Sequence, residues 1–444
     1  MTRHLLGFSP EAFVQRRTRV GQMLGKGALI LPAAPVSHRS RDTQHRYRPD
    51  SELFYLTGCT DPGVVAVLRD TENESFILFV PRRDPRAEVW SGARMGPEEA
   101  LERFGADAVF ALEEMEEHLP GLLKPSRRIF FRLGVHPRLE AQVVSALRWA
   151  RSRGTRTGEG PRAVEDPGEL LDGLRLVKEP EEISRIRKAT SLTVAAFRET
   201  LGATEPGMGE WQVEAILESA FRRGGASGPA FPTIVGSGEN GCVLHYVDNK
   251  ATIDGDGLVL LDGGAEVDLY AGDVTRTFPG GGRFSARQLE VYEVVLRAHQ
   301  SAISRVGPGF TMAQVNDAAL EELTKGLVGL GVLTGDVGDL MARKTYEPYF
   351  PHKISHWLGL DVHDAGDYAS EKGSRLLEPG MVLTIEPGLY FPSGADTPSH
   401  PYRGIGVRIE DDLIVTEDGA ENLTESLPVA PGELEALVGA GLRG

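Results

Sequence analysis

Cysteine is nearly absent from this sequence, since only Cys59 and Cys242 occur in 444 residues. Two thiols cannot build a disulfide framework, and such low usage is typical of a reducing compartment. Long apolar runs are also lacking, because none approaches the ~20 residues that a membrane-spanning helix needs. Residues 1–13 have no sustained apolar stretch of the kind found in secretory signals. We therefore expect a cytoplasmic protein with no membrane partner.

Basic residues are in deficit, with 48 Lys and Arg against 64 Asp and Glu and a formal net charge of -16. A chain of this charge repels phosphate backbones, so nucleic acid is not expected as a partner. The glycine-rich segment GSGENG (236–241) lacks the Lys-Ser/Thr ending of a phosphate-binding loop. We interpret it as a tight turn that places His245.

The chain is too long for one ordinary hydrophobic core, so two domains are expected. In the first part, apolar strand-like runs alternate with predicted helices at 10–23 and 97–104, which indicates an α/β domain. Residues 151–173 are rich in glycine, proline and charge and are predicted to be a linker. The predicted domains are therefore 1–173 and 174–444. Helices of the second domain are predicted at 207–223, 286–306 and 311–330.

Two aspartates stand in segment 258–278 (LVLLDGGAEVDLYAGDVTRTF), where apolar runs flank a polar middle as in a β-hairpin. With the turn at 266–269, Asp262 and Asp273 lie opposite each other with Cβ atoms roughly 5 Å apart. Like charges in this position destabilise a sheet, and a divalent cation between them offsets the repulsion. The alternative is a register shifted by one residue, which leaves the pair solvated.

Two glutamates interrupt apolar strands in the same half of the chain. Glu386 lies in MVLTIEPGLYF and Glu410 in GVRIEDDLIV. A lone charge is rarely left unpaired inside such a run, although each glutamate taken alone could face water from an edge strand. Four acids in four apolar strands of one domain favour one shared cation site.

Imidazoles accompany these acids, and the C-terminal half contains His245, His352, His356, His363 and His400. His352 and His356 are four residues apart, and on a helix this spacing could place two ligands on one metal. No Glu follows the first His, so the zincin mechanism is not supported. The alternative is that each histidine is a hydrogen-bonded structural residue.

Four carboxylates with one imidazole are too anionic for one ion and suit two. Such a ligand set favours Mn²⁺, Co²⁺, Fe²⁺ or Zn²⁺ over a metal that prefers thiolates. Two of these ions can lower the pKa of a shared water to about 7, which suits attack on an amide carbonyl. We therefore expect two divalent metal ions, with Mn²⁺ as the first choice.

The order of these ligands resembles the metal signature of the pita-bread metallopeptidases, a group that includes methionine aminopeptidase, prolidase and aminopeptidase P. The segments that resemble bacterial aminopeptidase P are IVGSGENGCVLHY, AGDVTRTFP, SHWLGLDVHD, LEPGMVLTIEPGLY and YRGIGVRIEDD. RYRPDSELFYLTG and AEVWSG resemble its N-terminal domain. The resemblance implies an α/β (α+β) chain, with an N-terminal creatinase-like α/β domain and a C-terminal pita-bread metallopeptidase domain.

The resemblance also implies a role for each site residue. The implied metal ligands are Asp262, Asp273, His356, Glu386 and Glu410, with Asp273 and Glu410 shared by both ions. Glu386 is also implied as the proton acceptor. His245 and His363 are implied to hydrogen-bond the substrate, and His352 to lie near the residue after the cut. Arg408 and Tyr390 are implied to orient Asp262.

The implied activity is removal of an N-terminal residue from peptides with proline in second position. Prolidase activity on Xaa-Pro dipeptides is the nearest alternative, and a non-catalytic binding protein on the same fold is an alternative of another class. Trp90 matches a residue that reaches a neighbouring subunit, which implies a homodimer or homotetramer in which domain 1–173 serves oligomerisation and substrate access. Lys353 departs from the expected glycine and puts the peptide-length preference in question.

Overall fold

The computed structural model describes residues 5–71, 74–154, 156–370, 373–394 and 400–442. Contacts within the chain define two compact units, Met1–Gly173 and Leu174–Gly444. None of the helices among the described residues combines the length and the apolarity that a membrane crossing needs.

The first unit is a mixed sheet with helices. Its strands are β1 (Gly27–Pro32), β2 (His38–Ser40), β3 (Thr43–Gln44), β4 (Val65–Arg69), β5 (Phe76–Val80), β6 (Ala108–Ala111), β7 (Arg128–Phe130) and β8 (Ala163–Glu165). Its helices are α1 (Pro10–Leu24), α2 (Ser51–Thr57), α3 (Pro85–Ser91), α4 (Pro97–Phe104), α5 (Met115–Leu123) and α6 (Pro137–Gly154), and α7 (Gly168–Leu176) leads into the second unit.

Six strands of the first unit form one sheet in the order β6-β5-β4-β1-β7-β8. The antiparallel pairs β1–β4 and β4–β5 lie at its centre, and parallel pairs flank them. Strand β8 lies inside the segment 151–173, so the prediction of a linker there was wrong in part. Three residues suffice for this edge strand because β7 supplies its hydrogen-bonding partner, which local composition cannot reveal.

The second unit contains helices α8 (Pro180–Ala203), α9 (Glu210–Arg223), α10 (Ala286–Ile303), α11 (Met312–Gly329), α12 (Val337–Ala342) and α13 (Pro431–Leu437). Its strands are β9 (Gly228–Pro229), β10 (Ile234–Ser237), β11 (Leu258–Gly263), β12 (Ala265–Val267), β13 (Tyr270–Ala271), β14 (Val274–Pro279), β15 (Ala369–Ser370), β16 (Gly373–Ser374), β17 (Val382–Ile385), β18 (Gly388–Phe391), β19 (Ile405–Arg408), β20 (Asp411–Thr416) and β21 (Gly419–Asn422).

The long helices start at side-chain caps that satisfy their free N–H groups. At α10, Ser285 N–H donates to Gln288 Oε1 at 2.8 Å and Gln288 N–H donates to Ser285 Oγ at 3.4 Å. Thr311 and Gln314 repeat this capping box at α11. Both helices were predicted at these places, although α10 ends at Ile303 and not at 306.

Short antiparallel sheets bring the polar residues of the second unit together. Strands β10-β11-β14 form one sheet, β17-β20-β21 another and β18-β19 a third. An isolated bridge between Thr275 and Glu410 links β14 to the start of β20. Fully buried apolar side chains from the strands and the surrounding helices, among them Phe197, Val259 and Leu383, form one core under these sheets.

The hairpin of β11 and β14 was predicted with the wrong register. Asp262 pairs with Thr275 and not with Asp273, because the turn is the two-residue segment Asp268–Leu269. Both turn residues have positive φ, 51° and 73°, as a tight hairpin turn requires. The register differs by two residues, and side chains alternate with a period of two. The two aspartates therefore stay on the same face, diagonal to each other.

Close backbone contact between Gly264 and Gly272 makes this arrangement possible. A Cβ at Gly264 would lie 1.6 Å from the carbonyl oxygen of Gly272. We predict that Gly264→Ala destabilises the protein by at least about 3 kcal/mol, because the backbone must move to relieve the clash. Chemical denaturation of the metal-free protein measures this change.

Gly329→Ala is the matched control, since its added methyl group meets nothing within 4 Å at the end of α11. We expect it to stabilise the protein by about 0.4–1 kcal/mol through the unfolded chain. Equal stability of the two variants would contradict the close contact.

Candidate metal centre

Glu410 stands between two strands that belong to different sheets. Its backbone N–H donates to Thr275 O at 3.1 Å, and its Oε2 accepts from Thr275 Oγ1 at 2.7 Å. These bonds dock Glu410 on β14, next to the position from which Asp273 projects. The apolar run around Glu410 is therefore split between β19 and β20, and the acid points inward with 2% of its surface exposed.

His356 and Glu386 are held beside each other by strand β17. Thr384 N–H donates to His356 O at 2.9 Å, and Glu386 N–H donates to Ile354 O at 2.7 Å. His352 and His356 do not lie on a helix, because segment 351–360 runs irregularly along the end of β17. Spacing of four residues alone does not distinguish a helix from a strand-edge loop.

One imidazole nitrogen faces three carboxylates. His356 Nε2 lies 3.3 Å from Asp273 Oδ2, 3.9 Å from Glu386 Oε1 and 3.9 Å from Glu410 Oε1. Ligand atoms of Asp273, His356 and Glu410 all lie within 4.8 Å of one another. This spacing suits a shared divalent cation.

The electrostatics of the acids fit such a cation. Burial, reinforced by the neighbouring carboxylates, raises the pKa of Asp273 and of Glu410 well above the ordinary range. Burial likewise raises the pKa of Glu386 to about 7. Asp262 Oδ1 and Glu410 Oε1 are buried and accept no hydrogen bond from the described residues. Buried oxygens without a donor need an explanation, and a bound cation provides one.

Arg408 connects Asp262 to a chain of hydrogen bonds at the edge of the cluster. Its guanidinium donates to Asp262 Oδ2 and, at 3.0 Å, to the Tyr390 hydroxyl. The hydroxyl lies 2.9 Å from His352 Nε2, and His352 Nδ1 lies 2.7 Å from Lys353 O. The structure thus brings Arg408 and Tyr390 next to Asp262.

The ring of His352 is neutral within this series of hydrogen bonds. Burial, followed by the charge of Arg408, lowers the pKa of His352 to about 3. The Tyr390 hydroxyl accepts from Arg408 and can donate to Nε2, which leaves Nδ1–H to donate to the carbonyl of Lys353. Both ring nitrogens are then occupied by protein atoms.

A cavity of about 980 Å³ opens above the cluster. His245, His352 and His363 line it together with the four carboxylates and His356, while His400 is not among its lining residues. The rings of His356 and His363 meet edge to face with centroids 4.4 Å apart, and burial lowers the pKa of His363. Apolar walls come from Phe231, Pro232, Leu244, Val247, Met312 and Val362.

Lys353 and Trp90, which the sequence analysis also singled out, are both exposed. Lys353 lines the cavity. Trp90 lies near the end of α3 in the first unit, where 91% of its surface is exposed, and the adjacent Val89 is 81% exposed. Exposed apolar side chains of this size are typical of association surfaces.

Sequence reasoning missed the acids that follow Glu410. Asp412 Oδ2 accepts the Asp273 backbone N–H at 3.0 Å, and burial raises the pKa of Asp412 to about 7. Asp411 accepts from Arg276 at 2.7 Å and lies 3.3 Å from His299 Nε2. Three consecutive acids inside an apolar strand were the available signal, because alternation must bury at least one of the later two.

A buried group of carboxylates and one imidazole, open to a cavity with further imidazoles, defines a divalent-metal hydrolase centre. Residues 184–417 match metallopeptidase family M24, and residues 13–130 match the aminopeptidase P, N-terminal domain. The chain belongs to the aminopeptidase P group of metallopeptidase family M24, as the sequence motifs predicted.

Similar proteins cover nearly the whole chain. The chain is 42% identical to the Xaa-Pro aminopeptidase of Escherichia coli over 428 residues, which is 96% of each protein. The structure of Pseudomonas aeruginosa aminopeptidase PepP has 39% identity and a TM-score of 0.93, with 98% of this chain and 99% of that one covered. A glutamate-to-alanine variant of Escherichia coli aminopeptidase P in complex with substrate has 41% identity and a TM-score of 0.92, with 98% and 100% covered. These matches confirm the predicted two-domain architecture.

The raised carboxyl pKa values predict how stability depends on pH in the metal-free protein. Glu386 binds its proton more tightly in the folded state, where its pKa is about 7, than at the ordinary value of 4.5. This contribution to stability is fully present below pH ~4.5 and is lost as pH rises through ~7. We predict that the chelated protein loses about 3 kcal/mol of stability or more between pH 5 and pH 8, measured by urea denaturation.

Two aspartate variants serve as opposite controls. Asp273→Asn removes repulsion and should raise the stability of the metal-free protein at pH 8. Asp411→Asn should lower it by about 3–5 kcal/mol, because Arg276 then remains as an unpaired buried charge. Stability that is flat with pH, or the same sign of change in both variants, would contradict the assigned charges.

Proposed function

We propose that this chain is an Xaa-Pro aminopeptidase, which hydrolyses the bond between the N-terminal residue of a peptide and a following proline. The buried cluster of three carboxylates around His356, with Asp262 beside them on the same cavity, is the observation that carries the proposal, because it fits the ligands of a metallopeptidase. The resemblance to an Xaa-Pro aminopeptidase over 96% of the chain supports the substrate class.

Two divalent ions, with Mn²⁺ as the first choice and Co²⁺, Zn²⁺ or Fe²⁺ as alternatives, are proposed for the cluster. Asp262 and Asp273 would hold one ion, and His356 and Glu386 the other. Asp273 and Glu410 would be shared, which balances the negative charge of the four acids. Bound ions of this kind polarise a carbonyl and lower the pKa of a coordinated water to about 7.

The residues around the ions are proposed to handle the proton and the peptide. Glu386 suits proton transfer, since its carboxylate lies in the cluster beside His356 and lines the cavity, where it can accept a proton and pass it to the departing proline nitrogen. His245 and His363 would donate hydrogen bonds to the substrate, including the carbonyl oxygen as it gains charge. His352, fixed by Tyr390, would form the wall beside the residue after the cut.

Selection of proline is proposed to come from the cavity walls. Proline has no backbone N–H, so a site that recognises it relies on the shape of its ring. The apolar side chains of the cavity, such as Leu244 and Val247, would contact that ring. Lys353 lines the same cavity and would influence which peptide lengths are accepted.

We further propose that the protein acts in the cytoplasm as a homodimer or homotetramer. Both cysteines are free thiols, which suits a reducing compartment. Trp90 would contact a neighbouring subunit and approach its active site, and unit 1–173 would serve oligomerisation and substrate access. The high exposure of Trp90 and Val89 supports this arrangement.

Cleavage of synthetic peptides tests the function. We predict that the purified protein with Mn²⁺ releases the first residue from Xaa-Pro-Yaa, and that a chelator abolishes this release. Turnover of Xaa-Pro alone would assign the chain to prolidase. Metal binding without cleavage of either peptide would point to a binding protein.

Glu386→Gln tests the proton transfer. We predict a fall in kcat of about 100-fold or more on Xaa-Pro-Yaa, because the amide cannot accept a proton. Metal content is measured alongside, which separates the loss of a ligand from the loss of a base. Glu421→Gln, in an exposed ion pair with Arg187, is the matched control and should leave kcat unchanged. Wild-type turnover by Glu386→Gln would refute the role.

A further inference from the structure

A second group of buried charges lies next to the metal centre without belonging to it. Lys178 Nζ lies 3.0 Å from Asp364 Oδ2, and the Arg175 guanidinium contacts Asp364 Oδ1 and, at 2.7 Å, Asp361 Oδ2. The side chains of Arg175, Lys178 and Asp364 are 5% exposed or less. We call these three residues the Asp364 anchor.

Burying the three charged side chains of the Asp364 anchor costs free energy, so stability alone does not explain them. Removing charges from water carries a large desolvation penalty, and apolar side chains of similar volume often stabilise a fold equally well. A carboxylate held from two sides by different cations adds a defined orientation, which apolar contacts do not supply. Asp364 lies at the end of an active-site loop, and the backbone of that loop is what its carboxylate can orient.

The loop that ends at Asp364 wraps around its carboxylate. Asp364 N–H donates to Trp357 O at 2.9 Å and closes the loop, and Gly359 N–H donates to Asp361 O at 3.1 Å. Asp364 Oδ1 also accepts from Asp361 N–H at 3.3 Å. A Cβ at Gly359 would lie 2.3 Å from Asp364 Oδ2, so the backbone follows the carboxylate closely.

His363 lines the cavity, as does the adjacent Val362 of this loop. Its ring stands against the ring of His356, and it forms no hydrogen bond with the described residues. No polar partner therefore fixes the ring directly. Its orientation depends on the backbone at 363–364, which the neighbouring carboxylate ties to Arg175 and Lys178.

We propose that Arg175, Lys178 and Asp364 are positioning residues that hold His363 in the orientation in which it hydrogen-bonds the substrate. The proposal rests on the proposed function, since it assigns the anchor a part in that reaction. Arg175 lies at the end of α7 and Lys178 in the short segment between α7 and α8. Neither segment contributes a proposed metal ligand, so the anchor ties the start of the second unit to the active-site loop.

A double-mutant cycle between Asp364 and His363 tests this proposal. We expect Asp364→Asn to lower kcat on Xaa-Pro-Yaa by about 10-fold or more while metal content is retained. In the His363→Ala background, which itself lowers kcat by about 100-fold or more, the same substitution should change kcat by less than about twofold. A residue that acts only through His363 has nothing left to position once the ring is gone.

Hydrogen exchange of the metal-free protein gives a readout that does not depend on activity. The peptide covering 357–364 should exchange faster in Asp364→Asn than in the wild type, because the bond from Asp364 N–H to Trp357 O is no longer held. If Asp364→Asn fails to fold, Lys178→Met replaces it in both measurements, since Arg175 still neutralises Asp364.

Equal fold losses in both backgrounds would overturn the proposal, because the anchor would then support the fold in general. Unchanged exchange at 357–364, or unchanged kcat in Asp364→Asn, would overturn it as well. Glu199→Gln, in an exposed pair with Arg223, is the matched control and should alter neither kcat nor exchange. Failure of the wild type to cleave Xaa-Pro-Yaa would refute the proposed function instead, and hydrogen exchange would still decide whether the anchor holds the loop.

Discussion

Four carboxylates that repel one another meet inside the second unit, and the strands around them are arranged to hold them there. Asp262, Asp273, Glu386 and Glu410 arrive from separate strands, and every strand end is arranged so that its acid points into the same space. Folding of the metal-free chain must overcome this repulsion by retaining protons. Divalent cations remove the need for those protons, so metal binding and the stability of the second unit are coupled.

The acids of the second unit fall into two groups according to their partners. Asp411 and Asp364 each lie against buried arginine or lysine side chains, and these cations hold the pKa of both acids below the ordinary range although burial opposes it. Among the described residues, Arg408 is the arginine or lysine that pairs with the acids of the cluster, and its guanidinium is committed to Asp262 and Tyr390. Acids with permanent cations organise the surroundings, and the acids of the cluster are the proposed metal ligands.

Much of the centre could be predicted because a carboxylate within an apolar strand is costly without a partner. The predictions that were wrong or missing concern contacts between residues that are distant in sequence. The turn at Asp268–Leu269 has positive φ without glycine, so composition could not locate it and the register was wrong by two residues. Arg276 and Asp411 are 135 positions apart, and no local sequence pattern predicts such a pair. Asp262 and Asp273 still share one face despite the wrong register, because side-chain alternation has a period of two.

Proton release on metal binding measures whether the four carboxylates of the cluster retain protons in the metal-free protein. Metal-free protein is titrated with Mn²⁺ at pH 7 in buffers of different ionisation enthalpy, and calorimetry gives the number of protons released per chain. We predict that at least one proton is released as the ions bind, since the carboxyl groups of the cluster retain protons without metal. Binding without proton release would mean that the four carboxylates are ionised together in the metal-free protein, and this would contradict the account.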